Sequence, residues 1–228
     1  MTQDILYAKL DTPNLAEVIM LRVLLCDIGN VVLEFDNARA KRQLLELADP
    51  GVRLNGSART QLESAINGEV WRAYGSGQIS DADYRKFIRR ILRCNSNVSD
   101  YDIDEAVSDV FTPIPDTIDI LKRLRASGVI LVAVSNAEPP RVRYVHRLGI
   151  WSLFDRRVAS CEVGLCKPAA EIFFHALGLV EATPDQALFV DDVPEYVAAA
   201  RLIGIKAHCF ENPAGLEGFL VEHEYLSA

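Results

Sequence analysis

An α/β fold is what the sequence predicts: a parallel sheet covered by helices on both faces, with a small helical insertion after the first strand. Three observations carry that expectation. Apolar runs of strand length recur at Leu21–Cys26, Val129–Val134, Arg156–Ser160, Ala187–Val190 and Lys206–Phe210. Segments with the period of an amphipathic helix lie between most of them, and strands alternating with helices favour a parallel sheet buried on both sides. The stretch from Ala38 to Phe111 breaks this rhythm, being charged, helical in pattern and free of any good strand run.

In chain order, residues 1–20 carry acids and no clean apolar stretch before a cleavage site, so they read as an N-terminal extension rather than a signal peptide, with Met20 as an alternative start. The core domain is expected over residues 21–37 and 112–228, and a helical cap over residues 38–111, with hinges near Asp36–Arg39 and Thr112–Asp116. Within the cap, the run from Tyr74 to Ser80 reads as a turn leading into a helix that Ser80 caps, with Asp83 three positions on as in a capping box. After the insertion, Ile118, Leu121 and Leu124 repeat on one helix face and stop at Gly128. Glu171–Leu177 stops in the same way at Gly178, and Tyr196–Leu202 at Gly204.

Composition narrows the function. The chain has 228 residues, half of them hydrophobic and a quarter charged, which suits a soluble globular protein with room for a core and an insert. No apolar run reaches bilayer-spanning length, so no membrane segment is expected. A formal net charge of −8 argues against nucleic acid or an anionic lipid surface as a general partner. The five cysteines are odd in number and include no CxxC pair, which points away from a disulfide framework or a zinc site and toward a reducing, cytoplasmic setting. No exposed apolar stripe announces an oligomer interface.

The chemistry sits at the ends of the strand runs. Asp27 directly follows the first run, and Asp191 and Asp192 follow the fourth. In an open parallel sheet, ligands bind beyond the carboxyl ends of the strands, near the point where the strand order reverses. Three carboxylates meeting there repel one another unless a cation joins them, and their hard oxygen ligands favour Mg²⁺. Ser135-Asn136 closes the second run, where a hydroxyl, an amide and the N–H groups of a following helix can meet phosphate oxygens; Pro139 and Pro140 suit that helix's first turn. Lys167, before another helix, can neutralise phosphate and nucleophile together. Each feature alone has an ordinary reading as a cap or a solvated side chain.

Taken in order, Asp27-Ile-Gly-Asn-Val-Val, Val-Ser135-Asn136, Lys167-Pro168 and Val-Asp191-Asp192 resemble the four motifs of the haloacid dehalogenase (HAD) superfamily. The resemblance runs from about residue 21 to 220 and covers a Rossmann-like core with the helical cap of the first subclass. Asp-x-Gly-Asn-Val, with Gly77-Gln-Ile-Ser80 in the cap, is most similar to the bacterial group that includes glucose-1-phosphate phosphatases. The resemblance implies a Mg²⁺-dependent phosphatase acting on a small phosphorylated metabolite, in which Asp27 becomes an aspartyl phosphate. It implies metal ligation by Asp27, the Gly29 carbonyl, Asp192 and Asp191, the last directly or through water. Ser135, Asn136, Lys167 and the N–H groups of Ile28 and Gly29 would bind the phosphoryl group.

The sequence departs from the family pattern at Gly29, where many HAD phosphatases carry a second aspartate that protonates the leaving oxygen. Three readings follow: a good leaving group such as an anomeric sugar hydroxyl, a substitute acid from the cap or from Glu34 or Asp36, or a slow or inactive protein. A 2-haloacid dehalogenase shares the nucleophile and also lacks that aspartate, but the Asp191-Asp192 pair argues for metal and so for phosphate. A non-catalytic binding module is the other alternative, and the retained acids argue against it. In the cap, Trp71 and Tyr74 are candidates to stack on a sugar ring, beside Arg39, Glu69 and Arg72, with packing between cap helices as the plainer role for both aromatics. Arg141 and Arg143 are further candidates to reach substrate.

Overall fold

The computed structural model describes residues 21–51 and 56–227; the expected extension over residues 1–20 lies outside the described residues. All five apolar runs become strands of one parallel sheet: β1 (Val23–Cys26), β4 (Ile130–Ser135), β5 (Arg156–Ala159), β6 (Ala187–Asp191) and β7 (Lys206–Cys209), in the order β5-β4-β1-β6-β7. Two shorter strands, β2 (Leu33–Phe35) and β3 (Phe111–Pro113), pair antiparallel outside that sheet. β1 is central, and the connections leave it to opposite sides, toward β4 and toward β6. Its carboxyl end is therefore the switch point at which the sheet opens a crevice.

The alternation of side chains along these strands divides the core into two layers. Leu24, Cys26, Leu131, Ala133, Leu188 and Val190 point to one face, where they pack with α6 (Pro115–Ala126) and α11 (Pro213–Glu222). Val23, Leu25, Val132, Val134 and Phe189 point to the other, against α9 (Ala170–Gly178) and α10 (Pro194–Leu202). Because β1 is buried on both faces, all four of its residues are apolar and fully covered, which is why it reads as a continuous run rather than an alternating one. The predicted helix stops hold at Gly128 and Gly204, both in the left-handed region that glycine tolerates. Gly178 instead closes α9 in helical geometry, and Glu181 carries the positive φ that follows.

Among the described residues, five helices lie between β2 and β3: α1 (Asn37–Glu46), α2 (Gly56–Asn67), α3 (Glu69–Gly75), α4 (Asp81–Leu92) and α5 (Asp100–Ser108). They share their own apolar core, built on Leu44, Leu62, Tyr74, Tyr84, Ile88 and Ile103. Ser80 caps α4 as its sequence suggests, accepting from the Asp83 N–H at 3.1 Å.

Helix α7 (Pro139–Arg147) of the core faces these helices across a line of ion pairs. Arg143 donates to Asp81 at 3.1 Å and to Asp104 at 2.7 Å, and Arg147 to Glu105 at 2.5 Å. Tyr144 donates to Asp109, which also accepts from Arg39. Arg143 is thus engaged with the inserted helices and not with the crevice. Pairs this exposed contribute about 1 kcal/mol or less each. Arg143→Ala is therefore expected to lower the unfolding temperature by only about 2–4 °C at low salt, with the difference from wild type shrinking in 1 M salt as screening takes over; thermal melts at two salt concentrations check this.

Candidate active site

Asp27 extends the ladder of β1, its N–H donating to the Val190 carbonyl at 3.0 Å, and so its side chain stands at the carboxyl edge of the sheet. The chain then turns sharply. The Ile28 carbonyl accepts from both Val32 and Leu33, and Asn30 adopts a left-handed conformation that asparagine tolerates. This turn leaves the N–H groups of Ile28 and Gly29 without a hydrogen bond among the described residues, so both are available to an anion.

Lys167 lies just before α9, almost wholly buried, and its ammonium donates to Asp27 Oδ1 and to Asp191 Oδ2, each at 2.6 Å. Burial works against the lysine charge, yet the two carboxylates raise its affinity for the proton above the ordinary value. Asp27 is pushed upward by burial and by the neighbouring Asp191 and Asp192, with Lys167 opposing that rise. One ammonium cannot fully offset three crowded carboxylates, and a divalent cation answers the remaining repulsion.

The oxygens available for such a cation are specific. Asp191 Oδ1 accepts from the Val193 N–H at 2.9 Å and its Oδ2 is held by Lys167. Asp192 Oδ2 accepts from Asn30 Nδ2 at 2.9 Å. Asp27 Oδ2 and Asp192 Oδ1 have no such partner among the described residues. Ligand atoms of Asp27, Asp191 and Asp192 all lie within 4.8 Å of one another. An all-oxygen donor set of this kind fits Mg²⁺.

Ser135 ends β4 beside this cluster and lines the cavity. Asn136 departs from the expectation of a free phosphate donor. Its Oδ1 accepts from the Lys167 N–H and its Nδ2 donates to the Lys167 carbonyl, both at 2.8 Å, and Nδ2 also reaches the Tyr196 hydroxyl at 3.3 Å. Both ends of the amide are thereby occupied in holding the Lys167 loop, so Asn136 positions the lysine.

Asp27, Ser135, Asn136, Lys167 and Asp192 line a cavity of about 580 Å³ between the sheet edge and the inserted helices, with Asp191 buried behind them. Phe35, Trp71, Phe111 and Trp151 contribute aromatic walls, Arg72 and Arg141 contribute guanidinium groups, and Glu138 contributes a carboxyl. The Arg141 guanidinium is clamped 4.2 Å from the ring centroids of both Phe35 and Trp71, and it donates to the Val107 carbonyl at 3.2 Å. Of the two aromatics singled out in the sequence, Trp71 lines the cavity. Tyr74 does not: it is fully buried in the core of the inserted helices, stacked on Tyr84 at 4.3 Å, with its hydroxyl donating to Asp81 at 2.9 Å. Tyr74→Phe is accordingly expected to cost about 0.5–1.5 kcal/mol of stability with KM unchanged, whereas Trp71→Ala raises KM; urea unfolding beside steady-state kinetics separates the two.

A family model for haloacid dehalogenase-like hydrolases matches residues 21–204. The chain belongs to that family. It is a hydrolase by that membership, and among its relatives is the sesquiterpene phosphatase astK of Aspergillus oryzae, 27% identical over 146 residues, or 63% of this chain and 74% of the relative. The pyrimidine 5'-nucleotidase YjjG of Escherichia coli is 26% identical over 164 residues, 67% of this chain and 72% of the relative. A HAD family enzyme of Bacteroides thetaiotaomicron, solved with magnesium and inorganic phosphate, superposes with a TM-score of 0.71 at 21% identity, covering 84% of this chain and 94% of that one.

Within this HAD hydrolase, the position two residues after Asp27 is open. A Cβ at Gly29 would meet only Asp27 Oδ2, at 3.9 Å. Neither Glu34 nor Asp36 fills the gap. Asp36 caps α1, accepting from the Arg39 N–H at 3.0 Å and from Arg42 at 3.2 Å, and Glu34 is exposed on β2. Two glutamates line the cavity among the described residues, Glu195 at the start of α10 and the buried Glu138, which the sequence conceals because Glu-Pro-Pro reads as an ordinary helix start. Its place three residues after Ser135 was the available signal. Among the described residues no helix is long and apolar enough to cross a membrane.

Proposed function

We propose that this hydrolase is a Mg²⁺-dependent phosphatase that cleaves a small phosphate monoester through an aspartyl phosphate on Asp27. The observation that carries the reading is the convergence of Asp27, Asp191, Asp192 and the buried Lys167 at one sheet edge, at the floor of a cleft that Asp27, Asp192 and Lys167 line. One oxygen of the Asp27 carboxylate attacks phosphorus beside the Lys167 ammonium, and the ester P–O bond breaks with its electron pair leaving on the ester oxygen. Water then cleaves the acyl phosphate, releasing inorganic phosphate and the Asp27 carboxylate. The free N–H groups of Ile28 and Gly29 and the Ser135 hydroxyl are the donors for the phosphoryl oxygens. Asp27, the Gly29 carbonyl and Asp192 would hold Mg²⁺, with Asp191 bracing the set from behind through Lys167 and Val193. When bound, the ion supplies charge neutralisation between an anionic nucleophile and an anionic substrate.

The helices between β2 and β3, in this reading, are a cap that selects the leaving group. A volume of about 580 Å³ walled by Trp71, Phe35 and Phe111, with Glu138 and Arg141 set among them, suits a ring that has apolar faces and hydroxyl edges. That favours a sugar phosphate. A sesquiterpenyl ester, the class in the name of the relative astK, would leave the buried Glu138 and Arg141 facing hydrocarbon. The five cysteines are all free, in keeping with a reducing, cytoplasmic setting. The test is a panel of sugar-1-phosphates, sugar-6-phosphates, pyrimidine 5'-nucleotides and a sesquiterpenyl phosphate, each assayed with Mg²⁺ and with EDTA. Fastest turnover of a sugar phosphate, abolished by EDTA, is the expected result; preference for the sesquiterpenyl ester overturns the substrate class, and release unaffected by EDTA overturns the metal.

A further inference from the structure

Glu138 is a carboxylic acid that the reaction above does not use. Only 4% of it is exposed, yet it lines the same cavity as Asp27. It occupies the N-cap of α7 without capping it, so its side chain is not spent on the helix. Among the described residues its buried Oε2 has no hydrogen-bond partner, and the Arg141 Nη1 cation stays 3.7 Å away. A buried polar oxygen left unbonded costs about 1–3 kcal/mol, and such groups call for an explanation. The cap closes directly over this carboxyl. A Cβ on Gly75, at the end of α3, would come within 3.0 Å of Glu138 Oε1, so the absence of a side chain there admits the acid.

We infer that Glu138 is the proton donor to the leaving oxygen, standing in for the side chain that Gly29 lacks. The inference rests on the phosphatase reading. In-line displacement sends the leaving oxygen away from Asp27 into the cavity beneath the cap, and Glu138 lines that cavity where Gly75 of the cap meets it. As the ester P–O bond breaks, the leaving oxygen takes the Glu138 proton and departs as an alcohol, leaving a carboxylate. That carboxylate then takes a proton from the water that attacks the aspartyl phosphate, the P–O bond to Asp27 breaks, and both acids return to their starting forms. Burial pushes the Glu138 carboxyl up to about 8, against the pull of Arg141, so that it carries its proton at neutral pH. The titratable or charged groups around it are Arg141 on α7, Tyr84 on α4, Cys161 on α8 (Ser160–Val163) and Cys166 before α9. Burial holds the phenol and both thiols neutral, leaving Arg141 as the charged neighbour.

The test compares wild type with Glu138→Gln on two esters, an alkyl or sugar phosphate and p-nitrophenyl phosphate, whose leaving group needs little protonation. Because kcat/KM reports the first, leaving-group step, the alkyl ester is expected to lose about 100-fold or more, and its loss to exceed that of the aryl ester at least tenfold. Wild-type alkyl-ester kcat/KM is expected to fall above about pH 8, and that fall is expected to vanish in the variant. Glu138→Asp, which keeps a carboxyl, is expected to retain that fall at a lower rate. Independently of any variant, wild-type kcat/KM is expected to depend only weakly on leaving-group pKa. Equal losses on both esters, or a steep leaving-group dependence in wild type, overturn the role of Glu138 and leave the phosphatase standing. No phosphate from either ester with wild type and Mg²⁺ overturns both.

Discussion

Asp27→Asn is expected to lower phosphate-ester turnover by about 10,000-fold or more while leaving the protein folded. Loss of a covalent nucleophile removes the reaction path itself, and effects of this size are typical when such a group is deleted. Folding survives because the substitution keeps the shape of the side chain and relieves repulsion. Asp27 is buried beside Asp191 and Asp192, and burial together with those neighbours already works against its charge. An amide there still meets the Lys167 ammonium through its oxygen, and Lys167 keeps Asp191. Unfolding temperature is thus expected to hold or rise as activity disappears, a combination that a general structural defect does not produce. Circular dichroism melts beside a phosphate-release assay check both halves.

Lys167→Met is expected to be the most damaging single change to stability at the site, at about 3–5 kcal/mol. The methionine fills the same volume but leaves Asp27 Oδ1 and Asp191 Oδ2 buried without the cation that bonds both at 2.6 Å. Breaking a buried ion pair from one side costs in this range because the remaining charges stay uncompensated. The sign with pH follows from the raised affinity of Lys167 for its proton. A lysine held above its unfolded value contributes its stability fully below the unfolded pKa of about 10.4, and loses it as pH rises through the folded one. Wild type and variant therefore differ by the full amount at pH 7. For a chain of this size the loss corresponds to roughly 10 °C in unfolding temperature. Millimolar Mg²⁺ is expected to restore part of it, because the ion binds the folded acids and not the unfolded chain; melts with and without EDTA measure both.

How much of this was legible beforehand follows from what kind of signal each part leaves. Val23–Cys26 and Ala187–Asp191 are buried on both faces, so each is a run of apolar residues ending in aspartate, and both strand and site could be read directly. The inserted helices were visible as a loss of strand runs. β2 and β3 were not, because three-residue strands such as Leu33–Phe35 are too short to show a period. Side-chain direction was the larger blind spot. Trp71 and Tyr74 lie three apart on α3, yet one lines the cavity and the other stacks on Tyr84, which only the packing of α4 decides. Asn136 looked like a phosphate donor because of where it stands, and the two bonds to the Lys167 backbone appear only when residues 31 apart are brought together. Glu138 escaped for the same reason: its burial depends on Gly75, far away in the chain.

The most direct test of the account is to find the phosphoryl group on the chain. Enzyme mixed with Mg²⁺ and a turned-over ester, quenched in acid within a few milliseconds, would be digested and the peptides weighed. The account predicts one phosphoryl group on the peptide that contains Asp27, stable in acid, lost in base, and missing from Asp27→Asn. Phosphate released at full rate with no phosphoryl group on that peptide, or with the group on another residue, would contradict it.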